Sequence, residues 1–268
     1  MNFSVLLSLY HKEKENNLND CLKSIELNTL KPTQIVIVYD GIIPQELDNV
    51  VHEYLDQLNI DIIKIDTNVG LGNALNIGLK ECKYNIVIRM DTDDICLPNR
   101  FEAQIEFLEK NPNISLFGTA IEEFDETMNF LTGVRAPPLE HGNIIQYSKK
   151  RNPFNHMTVA FNKEIIQHVG GYQHHLYMED YNLWIRVIAA GYKVANLQDC
   201  LVRVRGGDSM ITRRKGITYI KSEFQLAKLK IEKKIDTPLN SYLNFALRSI
   251  PRLLPTSILS KIYKKLRK

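Results

Sequence analysis

No run in the 268-residue chain approaches the about 20 consecutive apolar residues that a membrane-spanning helix needs, and the most apolar early stretch, Phe3 to Tyr10, is interrupted by Ser4 and Ser8. No basic segment precedes that stretch, so it lacks the make-up of a secretory leader, and a cytoplasmic chain is expected. Cysteine is scarce. The four residues, at positions 21, 82, 96 and 200, form no C-x-x-C pair, which argues against zinc and disulfide frameworks and fits a reducing compartment. Glycine is missing where a dinucleotide fingerprint would demand it: Gly70 and Gly72 begin a G-x-G pattern whose third glycine falls on Leu75. Internal repeats and low-complexity tracts are absent as well.

Acidic residues thin out toward the C-terminus. Residues 213–268 hold 15 Lys/Arg against 3 Asp/Glu, leaving 19 basic and 28 acidic residues over 1–212, so a net charge of +3 conceals an acidic body and a basic tail. Such asymmetry points to a tail that meets phosphate-rich matter, either membrane surface or nucleic acid.

The first hundred residues alternate short β-branched runs with amphipathic stretches, the pattern of βαβ units and a mainly parallel sheet. Strands are expected at Ser4–Tyr10, Gln34–Tyr39, Ile60–Ile65 and Asn85–Met90, with helices at about 16–28, 45–58 and 71–82 between them. Further helices are expected at 98–110, Lys163–Val169 and Asp180–Ala190, a strand at 114–124, and Gly- and Pro-rich loops over 132–156 that could line a second binding site. Right-handed crossovers place the ends of the first four strands along one edge, where open sheets of this kind bind ligands.

Three of those four strand ends deliver carboxylates. Asp91-Thr92-Asp93-Asp94 is the densest signal: clustered carboxylates repel one another and are suited to a hard divalent cation, Mn²⁺ or Mg²⁺, bridging to a substrate phosphate, unless the turn merely caps the helix near Pro98. Asp40-Gly41 is either a simple turn or a carboxylate set to bind a nucleobase imide or ribose hydroxyl. Asn68, Gly70 and Gly72 open a helix with glycines that permit close backbone approach to phosphate or sugar. Glu179-Asp180 starts a helix whose Leu183, Trp184, Val187 and Ile188 form an apolar stripe; the pair reads as an N-terminal cap or as a general base. His156 and the Gly170-Gly171-Tyr172 turn could shape an acceptor pocket beside it, and Trp184 is either core or ligand contact.

In order along residues 3–205, these motifs resemble the family-2 glycosyltransferases with the nucleotide-sugar-binding GT-A fold, especially bacterial enzymes of O-antigen, capsule and exopolysaccharide assembly: Ser4 to Tyr10, Asp40-Gly41, Asn68-x-Gly70 through Gly78, Arg89-Met-Asp91-Thr-Asp93-Asp94, Pro98-x-Arg100, Gly170-Gly-Tyr172 and Glu179-Asp180 through Arg186. The resemblance implies an α/β fold with a Rossmann-like, mainly parallel sheet flanked by helices over 1–212, divided into a nucleotide-sugar half (about 1–112) and an acceptor half (about 113–212). It implies that Tyr10 and Asp40 hold uracil, that Asn68, Gly70, Arg89, Asp91 and Asp93 serve the nucleotide-sugar, and that Asp93, with Asp91 and Asp94, ligates the metal. Asp180, beside Glu179, becomes the catalytic base of an inverting transfer; His156, Gly171 and Trp184 fall on the acceptor side. The implied donor is a UDP-sugar carrying a hexose or N-acetylhexosamine, and the implied acceptor a sugar on a polyprenyl diphosphate. Two features depart from the family: Ser8-Leu9-Tyr10-His11 lacks its usual Pro and Asn around the Tyr, and Arg205 stands where a His is common. Arginine cannot ligate a metal but pairs with diphosphate, so Arg205, with Arg213 and Arg214, is expected to assist the leaving group.

From Thr256 onward, Ile258, Leu259, Ile262, Tyr263 and Leu266 share one helical face while Lys261, Lys264, Lys265, Arg267 and Lys268 crowd the rest. The segment reads as an interfacial helix for an anionic membrane, at the inner face of the cell membrane, or as a domain-packing helix with a solvated basic face. Two rivals are weaker. An Asp-nucleophile phosphatase wants Thr or Val where Ile95 stands, and a nucleic-acid binder would need more aromatics and a less acidic body, so no nucleic-acid partner is expected.

Overall fold

The computed structural model describes residues 1–206 and 216–253. Arg213, Arg214 and the helix expected from Thr256 lie outside the described residues.

Among the described residues, nine strands form one mixed sheet. β1 (Phe3–Leu9), β2 (Gln34–Asp40), β3 (Ile60–Ile65) and β4 (Ile86–Arg89) are joined in parallel; with β5 (Ile95–Cys96), β6 (Leu116–Phe124), β7 (Leu131–Arg135), β8 (Ala160–Asn162) and β9 (Val194–Arg205) the order across the sheet is β3-β2-β1-β4-β8-β6-β9-β5, with β7 attached to β6. The interior strands β1 and β2 are apolar on both faces because helices cover both. On one face α1 (Glu15–Glu26), α2 (Gln45–Glu53) and α4 (Arg100–Lys110) contribute Leu22, Val51 and Phe101 to the core; on the other, α3 (Leu71–Glu81) and α7 (Glu179–Ala189) contribute Leu75 and Trp184.

The second half departs from its expected loops. β6 (Leu116–Phe124) runs parallel to β9 (Val194–Arg205), a 12-residue strand that the sequence pattern did not reveal because Gln198 to Cys200 interrupt its apolar alternation. Register shifts between Thr119 and Ile121 sit opposite that interruption. Residues 132–156 are not all loop: β7 (Leu131–Arg135) is an exposed edge strand and α5 (His141–Ser148) a short helix, each containing a glycine that weakens its propensity. β5 (Ile95–Cys96) and β8 (Ala160–Asn162) are antiparallel insertions, and α6 (Lys163–His168) follows β8.

The division expected at residue 212 lies outside the described residues, and the next described helix is fastened to the body. In α8 (Ile217–Glu232), Tyr219 and Leu226 pack with Met178, Tyr181 and Ile185. Lys230 is buried, donates to the Lys149 carbonyl (2.9 Å) and to the Tyr181 hydroxyl (3.0 Å), and is pushed down to about 7 by that burial. Glu223, also buried, accepts from Arg248 of α9 (Pro238–Ser249) at 2.7–2.9 Å and ties the two helices together.

Gly78 sets how closely α3 lies on the sheet: a Cβ there would meet Val38 Cγ2 at 2.5 Å and Leu6 Cδ1 at 2.6 Å. Overpacking costs about 1–3 kcal/mol, whereas replacing a helical glycine by alanine gains at most about 1. Gly78→Ala is therefore expected to lower the unfolding free energy by about 1–2 kcal/mol in urea titration; a stabilised variant would show that the helix has room to rise.

Candidate active site

The C-terminal ends of β1, β2 and β4 open into a cavity of about 870 Å³, a size suited to a nucleotide-sized ligand. Tyr10 reaches it from the turn after β1, half-exposed with its ring edge-on to His11. Asp40, at the end of β2, is buried. One of its carboxylate oxygens accepts from Val69 N at 2.7 Å; the other accepts from Gly70 N at 3.1 Å and Asn68 Nδ2 at 3.0 Å. The carboxylate thus organises the 68–70 loop. Gly41, at φ 91°, allows the close approach, since a Cβ would meet Asn68 N at 2.9 Å.

The turn after β4 gathers Asp91, Asp93 and Asp94 so that one carboxylate oxygen from each lies within 4.8 Å of the others. Burial pushes Asp93 up to about 7, with the charges of Asp91 and Glu13 adding to it; burial raises Asp94 too, then Asp93 and Asp91. Arg89, 1 % exposed, pairs with Asp91, while its Nε and Nη1 have no partner among the described residues. Asp94 Oδ1 accepts from Arg205 N at 3.0 Å; its Oδ2 is buried and, among the described residues, without a partner. An all-oxygen set containing an unpaired buried carboxylate oxygen fits a hard divalent cation such as Mn²⁺ or Mg²⁺. The capping alternative does not hold, because Asn99 occupies the N-cap of α4 and β5 intervenes.

Arg205 lines the cavity, but its guanidinium is engaged: Nε donates to Asp93 O (3.2 Å), Nη1 to Glu126 O (2.9 Å) and Nη2 to Asp20 Oδ2 (3.2 Å). It clasps the acidic turn to the loop after β6.

Glu179 and Asp180 enter the same cavity from the first turn of α7. Met178 holds the N-cap position, and Asp180 instead accepts from Asn152 Nδ2 at 2.6 Å. Burial raises both carboxyls above the usual range; for Asp180 the Asn152 hydrogen bond works in the opposite direction. His156 is on the wall, sharing a 2.8 Å hydrogen bond with the Tyr172 hydroxyl, and burial holds it well below its ordinary value, hence neutral.

Gly171 and Trp184 do not reach the cavity. Gly171, at φ 61°, leaves room for Asn76, whose side chain bonds Tyr172 N (2.8 Å) and Tyr172 O (2.7 Å) and so ties α3 to the 170–172 turn. Trp184 is fully buried and edge-on to His156 (5.9 Å) and Phe154 (5.6 Å), supporting the imidazole from behind. Conversely, the wall includes Tyr177 and Tyr219, stacked at 5.7 Å, which the sequence did not single out. Tyr177 sits at φ 67°, a left-handed conformation uncommon for an aromatic residue, and no sequence pattern announces it.

Comparison with known proteins identifies the family. Residues 4–170 match the family described as glycosyl transferase family 2. The chain is 47% identical over 266 residues to the amylovoran biosynthesis glycosyltransferase AmsE of Erwinia amylovora, covering 99% of each chain. It is 38% identical over 263 residues to the UDP-Gal:alpha-D-GlcNAc-diphosphoundecaprenol beta-1,3-galactosyltransferase of Escherichia coli, covering 98% of this chain and 95% of that one. Among solved structures, S. aureus TarS 1–349 in complex with UDP-GlcNAc superposes with a TM-score of 0.69 at 17% identity, over 94% of this chain and 72% of that one, and so shares the GT-A type fold. With a family match over more than half of its length and a relative 47% identical across 99% of both chains, the chain belongs to glycosyl transferase family 2.

Proposed function

We propose that this glycosyltransferase moves a hexose or N-acetylhexosamine from a UDP-sugar, with inversion, onto a sugar hydroxyl of a lipid-diphosphate-linked oligosaccharide in bacterial surface polysaccharide synthesis. One observation carries the reading: a single cavity is lined both by the Asp91-Asp93-Asp94 cluster and by Asp180, a carboxylate on a different element. The named activity of the E. coli relative supports galactose as donor sugar and a lipid-diphosphate-linked acceptor.

In this mechanism the aromatic turn at Tyr10 and the loop organised by Asp40 receive the uridine. Asp93, Asp91 and Asp94 would hold the divalent cation, which when bound supplies charge neutralisation for a departing diphosphate. Arg89, buried with donors to spare, adds positive charge on the same wall. Asp180 takes the proton of the acceptor hydroxyl as that oxygen bonds to the anomeric carbon and the bond to the diphosphate breaks. Its position within the first turn of α7 and the 2.6 Å bond from Asn152 fix the carboxylate's orientation. Arg205 acts through the acidic turn it clasps. We place the enzyme on the inner membrane surface: among the described residues no helix is long and apolar enough to cross a membrane, and the basic C-terminal sequence favours an anionic surface.

Asp180→Asn keeps shape and removes the base. Turnover, read as UDP release in the presence of acceptor, should fall by about 10²–10⁴-fold while calorimetric affinity for the UDP-sugar stays within about twofold; near-normal turnover removes Asp180 from the role.

Activity should also fall as pH drops through the raised pKa of Asp180, because protonation disables the base. Asn152→Ala withdraws a donor from the charged form, so the acid limb of kcat should move to higher pH. A limb that stays in place or moves down contradicts this arrangement.

A further inference from the structure

The α9 helix turns its leucines outward. Its inward face is mostly polar, with Ser241 buried and donating to Ala227 O at 3.0 Å, Ser249 buried and Arg248 paired with Glu223, and with Phe245 packed edge-on against Phe224 of α8 at 5.4 Å. Its outward face carries Leu239 (84 % exposed), Leu243 (55 %) and Leu247 (61 %), continued one turn on by Ile250 (61 %). Those positions, with Tyr242 beside them, make one stripe along the helix, the face a globular protein normally turns to its core.

Charge selects the occupant. After Asp236 the sequence has seven Lys/Arg and no Asp/Glu through to residue 268, so the stripe lies in a purely cationic segment. An anionic bilayer accepts both an exposed leucine stripe and the basic sequence that follows it in the chain. The end of α9 is linked to the cavity wall by one chain of contacts. Arg252, in the turn after α9, lies over the Tyr219 ring at 4.6 Å, and Tyr219 stacks on Tyr177 in the cavity wall.

We infer that the outward face of α9 is a membrane-docking surface that inserts Leu239, Leu243, Leu247 and Ile250 into the headgroup boundary of an anionic bilayer, holding the cavity wall linked to it near the lipid. The inference rests on the lipid-linked acceptor proposed above and assigns the contact to a helix that the basic sequence beyond it only flanks.

Flotation of the full chain with phosphatidylglycerol-containing vesicles tests it. The triple change Leu239→Ser, Leu243→Ser, Leu247→Ser should lower partitioning by roughly tenfold or more, since each leucine removes several buried methylenes. None of the three lines the cavity, so UDP release from UDP-galactose should stay within about twofold of the unaltered chain. In a second variant, Leu243→Trp, the new indole should shift to shorter wavelength and be quenched by lipids with brominated chains, against the fixed background of buried Trp184. Equal flotation of the triple variant, an unquenched Leu243→Trp, or a dimer of the unaltered chain that the triple variant abolishes would each overturn the assignment. An unaltered chain that releases no UDP from any UDP-sugar would refute the glycosyl-transfer reading, and vesicle partitioning is scored independently of that result.

Discussion

Three carboxylates are folded against one another at the end of β4, and much of the surrounding architecture answers that repulsion. Burial alone raises Asp93 and Asp94, and each is raised further by its neighbours. One guanidinium, that of Arg89, stands behind Asp91; one backbone amide, that of Arg205, serves Asp94. The second oxygen of Asp94 is left without a partner among the described residues. An acid whose folded-state pKa is raised makes the fold less stable as pH climbs from the ordinary carboxylate range toward the raised value, here about 7 for Asp93. The turn is therefore a charge-deficient site whose relief comes from positive charge, which is the chemistry a diphosphate-binding cation supplies.

The rest of the cavity is stiffened by polar braces that connect distant parts of the chain. Asp40 binds the 68–70 loop, Asn76 binds the 170–172 turn with both arms of its amide, and Arg205 bridges the acidic turn to Asp20 and Glu126. Each brace satisfies buried or half-buried backbone groups that loops at a sheet edge would otherwise expose. His156 is held as well, by the packing of Trp184 and a hydrogen bond with Tyr172, leaving a neutral imidazole in the cavity wall. Asp180 gains its place through α7, whose buried Leu183, Trp184 and Val187 fix the helix and so the carboxylate at its start.

How much of this could be read from the sequence depends on which interactions are local. The parallel half was legible because β1 to β4 and their helices have strong, uninterrupted periods, and the strand ends then placed Tyr10, Asp40 and the Asp91-to-Asp94 turn at one edge. β9 was hidden by Gln198-Asp199-Cys200, and β7 and α5 by their glycines, because tertiary pairing rather than propensity makes them. Asn152, 28 residues from Asp180, and Tyr219, in α8, join the site only through packing that no spacing encodes. For Trp184 both readings were open in the sequence, and full burial decides for the core. The clasp made by Arg205 depends on Asp20 and Glu126, which sequence alone does not bring near it.

The central claim is that the Asp91-Asp93-Asp94 turn is the charge-deficient end at which the donor diphosphate is held. Calorimetric titration of UDP into the full chain, with Mn²⁺ present and again with a chelator, tests it most directly. Tighter UDP binding with Mn²⁺ by tenfold or more, lost in Asp93→Asn, is the result this account predicts. UDP binding of equal strength in both conditions, unchanged by Asp93→Asn, would contradict it.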